Sequence, residues 1–272
     1  MQNFSVHLHS QFSDGENTIE EMADIAENLN LDVIGISDHF RLSSNSLRVL
    51  KPNNLHDYVS AIETLNKTRS VKILKGLEVD VPLNEDEQLY YKEIKNKYRF
   101  DYFIGAVHRY SCDRHVWDYS KNENIQEIAE RHKIYWNRML DAANNPIFDI
   151  IAHPDYIKSC GVNTEKYLEH EISAFLSAAQ KNHKIIEVNT SGIDKPEIQD
   201  FYPSKDILLK CQALSIPIII GSDAHCASDI IQHFSNAEQY LADINIRPCK
   251  LSTLINLKSN LLFSRMEKYH GH

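Results

Sequence analysis

Seven short apolar segments, each followed by a longer amphipathic one, alternate along the chain, and this alternation limits the fold before any single residue is considered. The strand candidates are Phe4–His9, Val33–Ser37, Lys72–Val79, Tyr102–Val107, Ile147–Ala152, Lys184–Val188 and Ile216–Gly221. The first helical pattern opens on Thr18-Ile-Glu-Glu21, and the others cover 55–68, 86–97, 123–144, 164–182, 204–214 and 236–243. In the opening signal the Thr18 hydroxyl accepts from the Glu21 backbone while the Glu21 carboxylate answers it, a capping box. Repeated β–α units require parallel strands joined by helical crossovers, hence an open α/β sheet or a closed barrel.

No Gly/Ser-rich tether or abrupt change in composition divides the 272 residues, so one domain over 1–272 is expected. A hydrophobic fraction of 42% is enough for a substantial core. The net charge of −9 argues against a general nucleic-acid binder, because phosphate backbones are held mainly by an excess of Lys and Arg. It excludes little about small phosphorylated substrates. The five cysteines are an odd number without a C-x-x-C pair, which suits a reducing compartment better than a disulfide framework. Met1 leads straight into the first strand, leaving no room for a signal peptide. Apolar runs such as Ile216–Ile220 are far too short for a bilayer. A cytoplasmic protein without a membrane partner is expected, and no pattern speaks to oligomeric state. Tyr110–Asn124 is the longest expected loop.

The chemistry lies at the C-terminal ends of the strands. In order they carry His7-Leu-His9 with Asp14, Asp38-His39, Glu78-Val-Asp80, His108-Arg109, His153-Pro-Asp155, Glu187-Val-Asn189 and Asp223-Ala-His225. Six of the fourteen histidines fall in these windows. Alternation along the first strand puts His7 and His9 on one side, with Val6 and Leu8 on the other. In β/α barrels, residues from different strands converge at this end. Imidazole mixed with carboxylate suits Zn, Fe or Mn better than Mg or Ca. A catalytic zinc takes about three protein ligands, so the donors present suffice for two or three divalent ions, with a carboxylate such as Glu78 bridging a pair.

The ordered series HLH, Asp14, DH, GLE, GAVH, AHPD and GSDAH resembles the PHP (polymerase and histidinol phosphatase) family over essentially the whole chain. The resemblance implies a single-domain α/β fold, a distorted (β/α)7 barrel, holding up to three metals. Carried over residue by residue, it implies the ligand set His7, His9, Asp14, His39, Glu78, His108, His153, Asp223 and His225. Many members have histidine where this chain has Asp14; carboxylate also ligates, with a shift in metal preference. Within the family, the stand-alone length, the run Glu187–Gly192 and Tyr202-Pro203-Ser204 are most similar to the histidinol-phosphate phosphatases. That implies hydrolysis of histidinol phosphate to histidinol by a hydroxide bridging the metals. Asp223 or His225 would then handle the proton for the leaving alkoxide. Arg41, Arg109, Lys158 and Lys195 follow strand ends as candidate phosphate-binding cations, with Lys195 and Arg109 favoured. Asp80 and Asp155 are candidates for the cationic groups of the substrate.

Each motif alone has a plainer explanation: Asp14-Gly15 is a turn signal, and single histidines are often satisfied core residues. A buried, unpaired carboxylate at position 78 would be costly, and it is the joint occurrence that favours a site. His56, His115, His132, His170, His183 and His233 lack ligand spacing and are expected on the surface. The rival functions are an amidohydrolase, which usually offers a modified lysine where this chain has His108, and a PHP phosphoesterase acting on nucleotides or other phosphate esters. A third is a non-catalytic metal-binding PHP module, which lost ligands would mark.

Overall fold

The computed structural model describes residues 2–42, 46–111, 114–115 and 124–255. In chain order the elements are β1 (Phe4–Ser5), α1 (Ile19–Asn28), β2 (Val33–Ile36), β3 (His39–Phe40), α2 (Leu55–Leu65), β4 (Lys72–Asp80), α3 (Glu85–Lys97) and β5 (Tyr102–Ala106). There follow β6 (Arg109–Ser111), β7 (Arg114–His115), α4 (Ile125–Asn144), β8 (Ile150–Ile151), α5 (Glu169–Lys181), β9 (Ile185–Asn189), α6 (Lys205–Ala213), β10 (Ile218–Gly221) and α7 (Phe234–Asp243). The capping box of α1 forms as its sequence predicts: Glu21 N–H donates to the Thr18 hydroxyl at 3.2 Å, and Thr18 N–H donates to the Glu21 carboxylate at 2.8 Å. A second box, Asn124 with Glu127, opens α4. The buried residues of α1, Ile19, Met22, Ala23 and Ala26, form one helical stripe against the sheet.

The main sheet runs β1-β2-β4-β5-β8-β9-β10, with β3 paired to β4 beside this path. All of its pairings are parallel. A parallel bridge between Leu8 and Ala224 brings the chain after β1 against the chain after β10 and closes the ring. Of the two arrangements the alternation left open this is the closed one, the distorted (β/α)7 barrel that the family resemblance implies. Two buried clusters follow. The larger contains the apolar helix residues, among them Met22, Ile62, Met139, Phe175 and Leu241, together with Ile73, Phe103, Ile186, Ile218 and Ile220 of the strands. The smaller takes the alternate strand positions Leu74, Tyr102, Ile104, Ile185 and Ile219, and fills the barrel interior.

Three expectations need correction. Val6 and Leu8 do not share a face: Val6 lies in the interior cluster and Leu8 in the outer one. Regular pairing in β1 stops at Ser5 and resumes only at Leu8, and this break shifts the alternation by one residue. The segment expected as a loop over 110–124 contains an antiparallel pair, β6 with β7; residues 112–113 and 116–123 lie outside the described residues. His132 is buried, because position 132 falls on the stripe of α4 that includes Tyr135, Trp136 and Met139. Its Nδ1 lies 2.6 Å from Thr164 Oγ1, and burial beside Arg131 lowers the ring to about 4. His56, His170 and His183 are exposed as expected. His233 is half-buried against Asp194, and the His115 side chain lies outside the described residues. No helix among the described residues is long and apolar enough to cross a membrane.

Candidate metal centre

β4 extends over nine residues to Asp80, and its end delivers Glu78 into the barrel mouth, 1% exposed. The two-residue β3 pairs His39 directly with Glu78, so a local ladder contact sets their separation. The Glu78 carboxylate is the hub. Its Oε1 lies 3.0 Å from His153 Nε2, 3.5 Å from His7 Nε2 and 3.7 Å from His108 Nε2. Its Oε2 lies 2.5 Å from His39 Nδ1 and 3.7 Å from His9 Nε2. Asp223 Oδ1 faces the same rings, 3.0 Å from His9 Nε2 and 3.5 Å from His7 Nε2. Asp14 Oδ1 completes the group at 3.3 Å from His225 Nε2 and 3.7 Å from His39 Nε2. The structure thus brings all nine sequence-derived ligand candidates into one cluster.

Local conformation aims several of them. His153 and Asp223 adopt left-handed backbone, φ 27° and 55°, a region where His and Asp are enriched and which turns the side chain off the regular strand direction. Asp38 accepts from Ser10 N–H at 2.8 Å, from Ser10 Oγ at 2.6 Å and from the Ser13 hydroxyl, pinning the turn that carries Asp14. Burial raises Asp38 to about 6 against those hydrogen bonds. Asp80 accepts from His108 N–H at 3.0 Å and holds its Nδ1 at 3.2 Å.

The charges compensate one another. Burial opposes ionisation of Glu78, yet the imidazoles of His39, His108 and His7 and the His153 hydrogen bond hold it well below its ordinary value. Asp223 is likewise held low against burial by His7, His9 and His225. His9 drops to about 3, first through burial and then through repulsion from His39 and His225. His225 rises to about 9, because Asp14 and Asp223 outweigh its burial.

The donors fit metal ions. His7 Nε2, both ring nitrogens of His9, His153 Nδ1, Asp14 Oδ1 and Asp223 Oδ1 are buried without a hydrogen-bond partner, an expensive state for so many polar atoms. Separations of 3.0 and 3.5 Å from Asp223 Oδ1 to His9 Nε2 and His7 Nε2 match ligand atoms of one tetrahedral shell, about 3.4 Å apart for bonds of about 2.1 Å. Three sets lie close enough to hold an ion each: His9, Asp14, His39 and His225; His7, His9 and Asp223; His39, Glu78 and His108. The sets share His9 and His39, and all three mix imidazole with carboxylate, a donor set suited to Zn, Mn or Fe.

The proposed phosphate cations separate. Arg41 is ion-paired with Asp80. Lys158 pairs with Asp155 at 3.1 Å and donates to Phe201 O at 2.7 Å. Asp155 also accepts from Ser204 N–H at 2.8 Å. Both carboxylates assigned from the sequence to substrate recognition are therefore engaged within the protein. The side chain of Arg109 lies outside the described residues. Lys195 differs from Arg41 and Lys158: its Nζ sits 4.8 Å from the Tyr156 ring centre and 5.2 Å from that of Tyr202, and forms no ion pair among the described residues. Burial lowers its pKa, and Asp223 partly offsets that. Tyr156 in turn packs against His153 at 4.8 Å between ring centres. Tyr156, Tyr202, Asp38 and Glu187 are site residues without an assigned role in the sequence reading. Glu187 and Asp38 carried a signal in their place at strand ends beside the ligands, and Tyr202 in the run matched to the family; Tyr156 carried none.

Residues 5–191 match the family model of the PHP domain. That is more than half the chain, and the protein belongs to the PHP family. It is 29% identical over 255 residues to a Clostridium acetobutylicum protein named probable histidinol-phosphatase, covering 90% of this chain and 95% of that one. It is 27% identical over 241 residues to the histidinol-phosphatase of Lactococcus lactis, covering 84% and 86%. The crystal structure of histidinol phosphate phosphatase from Lactococcus lactis, complexed with zinc, L-histidinol and phosphate, shares the fold with a TM-score of 0.67 at 22% identity, over 90% of this chain and 94% of that one.

Proposed function

We propose that the chain acts as one PHP unit, a metal-dependent phosphomonoesterase that hydrolyses histidinol phosphate to histidinol and phosphate. The observation that carries this is the gathering of all nine candidate ligand side chains, Glu78 among them, into one cluster. The names of relatives matched over most of their length direct the choice of ester. Bound divalent ions would supply the positive charge that activates water and neutralises phosphoryl oxygens. His7, His9, Asp14, His39, Glu78, His108, His153, Asp223 and His225 would hold them. His225 is the most exposed of the nine at 38%, and its Nδ1 lies 3.9 Å from Asp223 Oδ1; Asp223 or His225 would handle the proton for the leaving alkoxide. Lys195 would hold a non-bridging phosphoryl oxygen, since its ammonium is desolvated, is influenced by Asp223 and forms no ion pair among the described residues.

Phosphate release from histidinol phosphate, run beside nucleotides and sugar phosphates, tests the assignment. Strong preference for histidinol phosphate, lost on chelation and restored by Zn, Mn or Fe, is the expected result. Preference for another ester would discard the substrate and keep the chemistry, and inactivity of the metal-loaded protein on all of them would discard both. Lys195→Met should lower kcat/KM by roughly 10²-fold, in line with a charge-assisted contact of about 2–3 kcal/mol. Steady-state kinetics check this, and a change under threefold would remove Lys195 from phosphate binding.

A further inference from the structure

We propose that Glu187 is a positioning residue that fixes His7 in its metal-binding tautomer, reaching it through a gap that Gly221 keeps open. The inference rests on reading the cluster as a metal centre. Glu187 stands on β9, 1% exposed, and its Oε1 lies 2.6 Å from His7 Nδ1. Its Oε2 accepts from His153 N–H at 3.0 Å and from Asn189 Nδ2 at 3.0 Å. One carboxylate therefore braces two ligand-bearing segments from opposite sides of β10.

The contact dictates chemistry at the far side of the ring. With Nδ1–H donating to the carboxylate, Nε2 of His7 carries the lone pair, and Nε2 is the atom that faces Glu78 and Asp223 at 3.5 Å. The geometry also explains Gly221, the last residue of β10. A Cβ there would lie 2.0 Å from Glu187 Oε1, so any side chain would drive the carboxylate off His7.

Glutamine is close to isosteric with Glu187 but fails in either orientation. If its oxygen faces His7, its amide protons face the two donors of His153 and Asn189. If its NH2 faces His7, Nδ1 must become the acceptor and Nε2 takes the proton, so the lone pair is lost on the metal side.

The test is zinc binding, which does not depend on any ester being hydrolysed. Chelated Glu187→Gln, titrated with zinc against a competing dye, should weaken one site by roughly 10- to 100-fold and leave the others at parental affinity. Gly221→Ala should weaken the same site with the carboxylate still present. Parental zinc affinity in both variants would overturn the proposal, as would equal weakening of every site, which marks general loosening of the packing. The zinc-loaded parent supplies a readout without substitution: long-range nitrogen–proton NMR should show His7 protonated at Nδ1 and bare at Nε2. The opposite tautomer would overturn the assignment outright.

Discussion

Glu78→Gln is expected to lower kcat/KM by roughly 10³-fold or more, a loss of about 4 kcal/mol of transition-state stabilisation. Five imidazoles lie within 3.7 Å of this one carboxylate, and it is 1% exposed. Asp223 faces only two of these rings, His7 and His9. The amide keeps the shape but removes the negative charge that cations and imidazoles converge on, and it presents N–H donors where lone pairs are needed. Metal content and kinetics should be measured on the same preparation. A variant with parental metal content and activity within tenfold of the parent would show that Glu78 is not the hub.

The second large effect is on stability. Tyr102 is fully buried in the barrel interior, and its hydroxyl donates to Val6 O at 2.6 Å. Its ring and hydroxyl fill the space above two glycines: a Cβ on Gly35 would lie 2.2 Å from the hydroxyl oxygen, and one on Gly76 would lie 2.3 Å from the ring. Tyr102→Ala should therefore destabilise by about 3–5 kcal/mol, the usual cost of deleting a buried aromatic. It removes the floor of the barrel beneath the metal centre and leaves the Val6 carbonyl without its donor. Urea unfolding of the chelated protein checks this, and a loss below about 1 kcal/mol would mean that the interior can collapse around the gap.

The barrel and its site were legible in the sequence to different depths. Apolar strands and the capping box at Thr18 are local signals, and the ligand candidates announce themselves because imidazole and carboxylate at strand ends are otherwise costly. β3 was not legible: two residues cannot show a period, and its pairing with β4 is decided by tertiary contact. The shift between Val6 and Leu8 is equally silent, since both residues are apolar and suit either core. His132 was misplaced because a polar residue on a helical stripe carries no mark of burial unless its partner, Thr164, is known. The roles of Asp38 and Arg41 depend on which donors or carboxylates arrive from elsewhere in the chain. Glu187 shows the limit most clearly, because its position was visible while its partner lies 180 residues away.

The Leu8–Ala224 bridge joins segments from the two ends of the barrel sequence, and His9 N–H donates across it to Ala224 O at 2.9 Å. His7 and His9 flank one side of that bridge, Asp223 and His225 the other. An ion held between them would tie the first strand to the last as a cross-link does, at a contact of large sequence separation that is slow to form by chain diffusion. Metal bound at a thousandfold excess over its dissociation constant adds about 4 kcal/mol to the closed form. Scarcity of metal would then lower the stability of the closed ring as well as its turnover.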